Sequence, residues 1–238
     1  MTVEIRPADL RSRTLAEGRT TRHSFAFGAH YDPLNVGFGP LVALNDEHLP
    51  PGTGYAEHPH ADLEIVTWVL SGALRHTSTA GSGLLLPGAA QLLSAGSGVR
   101  HSEVADDASA GGATTRFLQA WVRPDVDGGA PDHRVTEVGH DLRPGAGWAC
   151  LAAGDGSGPG ALPIATLGAS LHVAQVGADE RLALPEADLL HVFVAAGQLM
   201  LGERRLGDGD AARLTDEGGR WVRAEQEAHV VVWAFAGG

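Results

Sequence analysis

Apolar residues occur along the chain in short runs that are separated by turn-forming residues. Most of these runs are bounded by Gly or Pro, which interrupt helices and end strands. Several short strands at this spacing are typical of a β-sandwich or a β-barrel. The sequence therefore predicts an all-β fold, with strands over residues 39–45, 63–70, 115–122, 148–152, 170–176, 189–194 and 229–235.

A stretch rich in Asp, Gly and Pro divides the chain into two parts. Residues 123–144 read RPDVDGGAPDHRVTEVGHDLRP, which is the composition of a linker. On either side an apolar strand runs into a Gly turn: residues 63–72 read LEIVTWVLSG and residues 189–197 read LLHVFVAAG. This repeat indicates an internal duplication, although all-β proteins also produce such repeats by chance. We predict an amino-terminal domain over residues 1–134 and a carboxy-terminal domain over residues 135–238.

Composition and charge exclude several classes of function. The chain has 17 basic and 29 acidic residues, a formal net charge of −12, so its surface repels phosphate backbones and anionic lipids. We therefore expect neither direct nucleic-acid binding nor a membrane partner. Every basic residue is Arg and none is Lys, which removes Schiff-base chemistry.

Three further features point to the cytoplasm. Cys150 is the single cysteine, which permits no internal disulfide and fits a reducing compartment. The opening MTVEIRPADLRSR lacks the apolar segment of a secretory signal. Since no window reaches the length of a membrane span, we expect a cytoplasmic protein.

Two pairs of metal-ligand side chains have strand spacing. His58 and His60 lie at i and i+2, so in a strand both imidazoles point to one face. His101 and Glu103 repeat this spacing on a later strand. If the two strands are antiparallel neighbours, three nitrogens and one oxygen converge and leave exchangeable positions, as catalytic metal sites do. A lone histidine is more often structural, but two same-face pairs favour a metal site.

These residues lie in motifs that resemble a known family. Residues 52–64 read GTGYAEHPHADLE, which is similar to the first cupin motif. The continuations EIVTWVLSGALRHTSTAGSG over 64–83 and LLPGAAQLLSAGSGVRHSE over 85–103 resemble the pirin family of bicupins. TRHSFAFGAHYDPLNVGFGP over 21–40 is similar to the pirin amino-terminal signature. The resemblance is close over residues 21–123 and looser beyond.

This resemblance implies the fold, the metal and the candidate activity. It implies two antiparallel, jelly-roll-like cupin β-barrels packed as a bicupin, with one metal ion in the first. The family's ligands fall on His58, His60, His101 and Glu103. The ion implied is Fe(II), while imidazole and carboxylate ligands also accept Ni, Mn, Co, Cu or Zn. We expect dioxygenase activity on a small aromatic substrate, a flavonol such as quercetin, with Glu103 as general base.

Other readings of the same resemblance stay open. The chain could instead be a non-enzymatic metal or redox sensor that acts through a protein partner. A sugar-modifying cupin is disfavoured because no basic cluster near the motifs offers an anion clamp.

Departures from the cupin pattern and the remaining histidines and cysteine give four more expectations. Seven residues separate Glu64 from Gly72 where the motif has six, and Glu64 is either a supporting residue near the ligands or a structural one. Around His191 there is no His-X-His motif, so we expect a metal-free second domain. The other histidines are expected to be structural or at the surface, although His23 and His30 could line the pocket mouth. Cys150 is expected to be a small core residue.

Overall fold

The computed structural model describes residues 1–138, 142–158 and 160–236. Within these ranges almost all regular structure is β, apart from a 3₁₀ turn at Ala8–Leu10 and a four-residue helix, α1 (Asp107–Ala110). The strands up to residue 138 are β1 (Thr2–Arg6), β2 (Ser12–Ala16), β3 (Arg19–His23), β4 (Leu41–Leu49), β5 (Gly54–His60), β6 (Glu64–Ser71), β7 (Leu74–Ser78), β8 (Ser82–Leu85), β9 (Ala89–Ser94), β10 (Val99–Ala105), β11 (Thr115–Val122) and β12 (Asp132–Glu137). The later strands are β13 (Ala149–Ala153), β14 (Leu162–Pro163), β15 (Ala169–Val176), β16 (Arg181–Ala183), β17 (Leu189–Leu201), β18 (Arg204–Leu206), β19 (Ala211–Thr215) and β20 (Trp221–Phe235).

The predicted strands overlap observed strands in every case. Residues 39–45, 63–70 and 115–122 correspond to β4, β6 and β11, and the remaining four to β13, β15, β17 and β20. β17 and β20 extend beyond the predicted runs, because they continue through Gly and polar positions with several register shifts. Such bulges bend a strand without ending it.

The chain divides into two compact units. The amino-terminal unit comprises Ser12–Gly139 and Ile164–Thr166, and the carboxy-terminal unit comprises Met1–Arg11, His140–Pro163 and Leu167–Gly238. The first 11 residues thus lie outside the unit to which the predicted division assigned them, because β1 pairs with β19 at the edge of the carboxy-terminal sheet. β12 pairs with β9, which keeps it in the amino-terminal unit.

The amino-terminal unit contains a large and a small antiparallel sheet. Among the described residues the large sheet has the strand order β12-β9-β6-β11-β4-β3-β2 and the small sheet β5-β10-β7-β8. Phe117 and Val69 of the large sheet share a buried apolar cluster with Leu74 and Leu85 of the small one. The inner faces of the two sheets therefore enclose the core of the unit, as in a double-sheet jelly roll.

The carboxy-terminal unit is built on one large sheet in its described part. Its main path runs β1-β19-β17-β20-β15-β13-β14, with β16 and β18 paired to β20 and β17. The pairing is antiparallel except for the short β13–β14 pair. As far as the described strands go, the sheets of neither unit close into a continuous barrel, so the expected barrels are open, jelly-roll-like sheets. In the described ranges no helix is both long enough and apolar enough to cross a bilayer.

Candidate metal centre

Strands β5 and β10 bring the two predicted pairs together. They are antiparallel neighbours, and His101 lies directly opposite His58. The register shifts between His101 and Glu103, where the strand carries a bulge. A side chain at Gly54 would collide with the carbonyl of Glu103, so a glycine is needed for β5 to approach β10 at this bulge. The predicted strand pairing of the two motifs is therefore present.

Three imidazoles form a compact group on this strand pair. The ring centroids of His58 and His101 are 4.4 Å apart, those of His58 and His60 4.9 Å, and those of His60 and His101 5.0 Å. One ligand nitrogen from each ring lies within 4.8 Å of those of the other two. His101 is buried, and His58 and His60 are partly buried.

The nitrogen atoms of this group fit a metal ion. Nε2 of His60 and both ring nitrogens of His101 are buried and have no hydrogen-bond partner among the described residues. Buried polar atoms are normally satisfied, so unsatisfied nitrogens that converge on one point indicate a missing partner. Burial lowers the pKa of both His60 and His101 to about 4. Both imidazoles are therefore neutral near pH 7, which is the form that binds a metal.

Glu103 lies fully inside the unit and is held by an amide. Nε2 of Gln119 donates to both carboxylate oxygens, at 3.0 Å and 2.9 Å. Burial by itself raises the pKa of Glu103, but the His76 and His101 imidazoles and the Gln119 amide outweigh it, and the net pKa is lowered. A buried carboxylate that stays ionised is suited to bind a cation or to accept a proton.

His76 belongs to the same cluster, although its sequence context predicts a structural or surface histidine. It is fully buried on β7, directly opposite Glu103 on β10. Ligand atoms of His76, His101 and Glu103 all lie within 4.8 Å of one another. The carboxylate of Glu103 thus groups with His101 and His76, whereas His58 and His60 group with His101 alone.

A row of buried polar side chains faces this cluster from the large sheet. Gln91, Thr67 and Gln119 lie directly opposite one another on β9, β6 and β11. Gln91 contacts Nδ1 of His76 at 3.1 Å, and Gln119 donates to Thr67 at 3.1 Å. Each residue is a single polar position inside an apolar strand, and that was the sequence signal that could have identified the row.

Aromatic rings and an open pocket lie beside His60. Trp121 packs edge-on against His60 with centroids 4.8 Å apart, and its indole N–H donates to Gln119 at 3.2 Å. On the outer side a pocket of about 570 Å³ is lined by Pro59, His60, Ala61, Thr79, Gly98, Val99 and Arg100. The cluster is therefore next to a cavity of the size that small-molecule sites have.

Glu64 has a structural environment. It is buried on β6 and accepts hydrogen bonds from the Ser94 hydroxyl at 2.9 Å and the Ala165 amide at 3.1 Å. Burial raises its pKa. Within the described residues Glu64 belongs to neither metal-competent group, so its contacts support the structural alternative.

His23 and His30, expected at the pocket mouth, are not among its lining residues. His23 is buried, and its ring nitrogens contact Thr14 and Asn45, each at 2.9 Å. It stacks on Phe27 and lies 5.6 Å from His30, between ring centroids. His23 therefore has the environment of a core histidine with satisfied hydrogen bonds.

The remaining candidates lie elsewhere. His191 is buried opposite Arg213 and Trp233, and burial, reinforced by the Arg213 charge, lowers its pKa to about 3. The metal-free second domain stays a prediction. Cys150 is half-buried and burial raises its thiol pKa, which disfavours the reactive thiolate. His140 lies outside the described residues. His48, His133, His172 and His229 are all placed on strands and belong to neither group of potential ligands, although His133 stacks on His76.

Comparison of the sequence with known proteins finds a family model and similar relatives along most of the chain. The family model described as Pirin matches residues 6–122. A protein of Mycobacterium tuberculosis named "Putative quercetin 2,3-dioxygenase" is 44% identical over 234 residues, covering 98% of this chain and 94% of that relative. A "Pirin-like protein" of Caulobacter vibrioides is 35% identical over 216 residues, covering 89% of this chain and 90% of the relative.

Comparison of the fold agrees with the sequence relatives. The crystal structure of the Escherichia coli bacterial pirin YhhW in complex with nickel(II) matches with a TM-score of 0.89 and 24% sequence identity, over 99% of both chains. At this identity the match shows a shared fold. The predicted all-β, jelly-roll-like cupin architecture is confirmed.

Proposed function

The chain belongs to the pirin family, and we propose that it is a metal-dependent dioxygenase that acts on flavonols such as quercetin. We propose His58, His60, His101 and Glu103 as ligands of one divalent transition-metal ion, with Fe(II) as the expected ion. The observation that carries this proposal is the convergence of buried, unsatisfied imidazole nitrogens beside an ionised, buried carboxylate.

The proposed ligands are more typical of a catalytic metal site than of a closed structural one. Three imidazoles and one carboxylate leave exchangeable positions, and a bound transition metal would supply Lewis-acid and redox chemistry there. Both His58 and His60 project from β5, whose neighbouring segment lines the open pocket. A flat aromatic substrate in that pocket would reach the cluster from the His60 side.

Glu103 is the residue proposed to move the proton. Its carboxylate is ionised at neutral pH and can accept the proton of an enolic hydroxyl on the substrate. Each carboxylate oxygen keeps a free lone pair after accepting one hydrogen bond from Gln119. Gln119 is itself oriented by the Trp121 indole N–H, so its amide nitrogen is the end that faces Glu103.

The experiment is oxygen uptake by Fe(II)-loaded protein with quercetin. We expect metal-dependent uptake that Glu103→Gln abolishes, since this change removes the base and the ligand charge at nearly constant size. Glu64→Gln is the matched control, because Glu64 is an equally buried carboxylate outside the cluster. Uptake by Glu103→Gln at the wild-type rate would contradict the role of Glu103. Loaded wild-type protein without any uptake would favour a non-enzymatic metal or redox sensor that acts through a protein partner.

A further inference from the structure

The small sheet places ligand-type side chains on both sides of β10. Its strand order is β5-β10-β7-β8, so β10 has β5 on one side and β7 on the other. His58 of β5 lies opposite His101, and His76 of β7 lies opposite Glu103. The two residues of β10 are therefore shared between a histidine pair on β5 and a single histidine on β7.

His76 has the surroundings of a metal ligand, but one of its ring nitrogens has no partner among the described residues. It is fully buried, and its Nε2 has no hydrogen-bond partner. Its Nδ1 contacts the Gln91 amide at 3.1 Å and lies 3.9 Å from a Glu103 oxygen. Its ring stacks on that of His133, with centroids 4.8 Å apart and 7° between the planes. The ring is fixed in place while one buried nitrogen stays unsatisfied, which is costly without a further partner.

Supporting contacts hold this histidine in one orientation. Nε2 of His133 contacts the Gln91 oxygen at 3.0 Å, so Gln91 is held at both ends of its amide. A side chain at Gly81 would collide with the His133 ring, so a glycine leaves room for the stacked pair. The Gln91 amide nitrogen donates to Nδ1, so a metal ion on Nε2 requires the Gln91 amide to turn its oxygen toward Nδ1, which then donates its N–H as the second nitrogen of metal-binding histidines commonly does.

We propose that the centre has two alternative metal positions, an outer one at His58, His60, His101 and Glu103 and an inner one at His76, His101 and Glu103. This inference rests on the proposed metal binding and extends it. The inner group is as compact as the outer histidine group, since its ligand atoms also lie within 4.8 Å of one another. Two nitrogens and one carboxylate oxygen form a donor set that divalent transition metals accept.

The shared residue His101 makes the two positions mutually exclusive. A neutral imidazole has one nitrogen lone pair available, because the other nitrogen carries a proton. His101 can therefore bind one ion at a time, and the stoichiometry stays at one ion per chain. Loss of the outer histidines should shift the ion inward without removing it.

A double-mutant cycle with Co(II) as the probe tests the inner position. Stoichiometry and Kd are measured by calorimetry, and the ligand set by visible absorption of bound Co(II). We expect one Co(II) per wild-type chain, and one per His58→Ala/His60→Ala chain with Kd raised about tenfold or more and an altered spectrum. Adding His76→Ala to this pair should lose a further hundredfold or more, whereas His76→Ala alone should stay close to wild type.

Matched variants keep the test decisive. Adding His172→Ala to His58→Ala/His60→Ala removes a histidine of the other unit and should leave Co(II) binding as in His58→Ala/His60→Ala. His76→Gln keeps a polar side chain beside Gln91 and should reproduce His76→Ala in both backgrounds. Wild-type binding with no binding by His58→Ala/His60→Ala, or equal effects of His76→Ala in both backgrounds, would overturn the inner position. Two ions per chain would overturn the exclusivity, and no binding by wild type would overturn the proposed metal binding itself.

Discussion

Replacement of Gln119 by Met tests how the buried carboxylate is kept ionised. In the wild type the Gln119 amide donates to both oxygens of Glu103, which is 1% exposed. Gln119→Met keeps the length of the side chain but removes the donor. In metal-free protein the Glu103 carboxylate then has to stay ionised without its amide partner.

The size of the effect follows from the charge of the acceptor. A hydrogen bond to a charged group contributes about 1.5–3 kcal/mol, and the neutral contact of Gln119 with Thr67 contributes about 1 kcal/mol. Loss of the charge-dependent part raises the pKa of Glu103. The wild-type pKa of Glu103 is lowered. The charge-dependent stabilisation by Gln119 is therefore complete at pH 8 and is lost as the pH falls through the pKa of Glu103.

The assay is urea unfolding of metal-free protein at a series of pH values from 8 to 3, so that the series extends well below the ordinary pKa of a glutamate. Gln175→Met is the control, since the Gln175 amide donates to Glu227 at 2.6 Å in an exposed pair. That control should change the free energy of unfolding by no more than about 0.5 kcal/mol. A loss for Gln119→Met that is equal at both ends of the pH series, or no larger than the control at pH 8, would refute the reasoning.

Two further predictions concern the stability of the amino-terminal unit. Burial raises the pKa of Glu47 to about 7 from 4.5, so the folded chain retains a proton that the unfolded chain releases. Stability should therefore fall by up to about 3 kcal/mol as the pH rises from about 4.5 to about 7, and Glu47→Gln should remove this slope in urea unfolding. Phe117 is fully buried between the two sheets, and Phe117→Ala should cost about 3–5 kcal/mol in the same assay, whereas a cost below about 1 kcal/mol would contradict its place in the core.

The metal-ligand residues were predictable from the sequence where their spacing matches the two-residue period of a β-strand. His58 and His60 at i and i+2 have to share a strand face, and the same holds for His101 and Glu103. Their meeting required only that two strands be neighbours, which the antiparallel pairing of β5 and β10 provides. Apolar runs such as β6 and β11 were predictable for a similar reason, since strands buried on both faces read as continuous apolar segments.

The contributions of distant strands were not predictable. His76 is one histidine in a short strand, and nothing in its neighbours shows that it lies opposite Glu103. Gln119 and Gln91 read as isolated polar residues, and their role depends on the register of the large sheet. The place of β1 at the edge of the carboxy-terminal sheet was not predictable either, because its partner, β19, lies about 200 residues away and edge pairing leaves no local signal.

Elemental analysis of purified protein tests the central claim most directly. Wild-type protein and the His58→Ala/His101→Ala variant are purified without chelator and without a nickel affinity step, and their metal content is measured per chain. We predict one divalent transition-metal ion per wild-type chain and a content near background for the variant, because His101 takes part in both metal-competent groups. Full metal occupancy in the double variant would place the metal elsewhere and contradict the account.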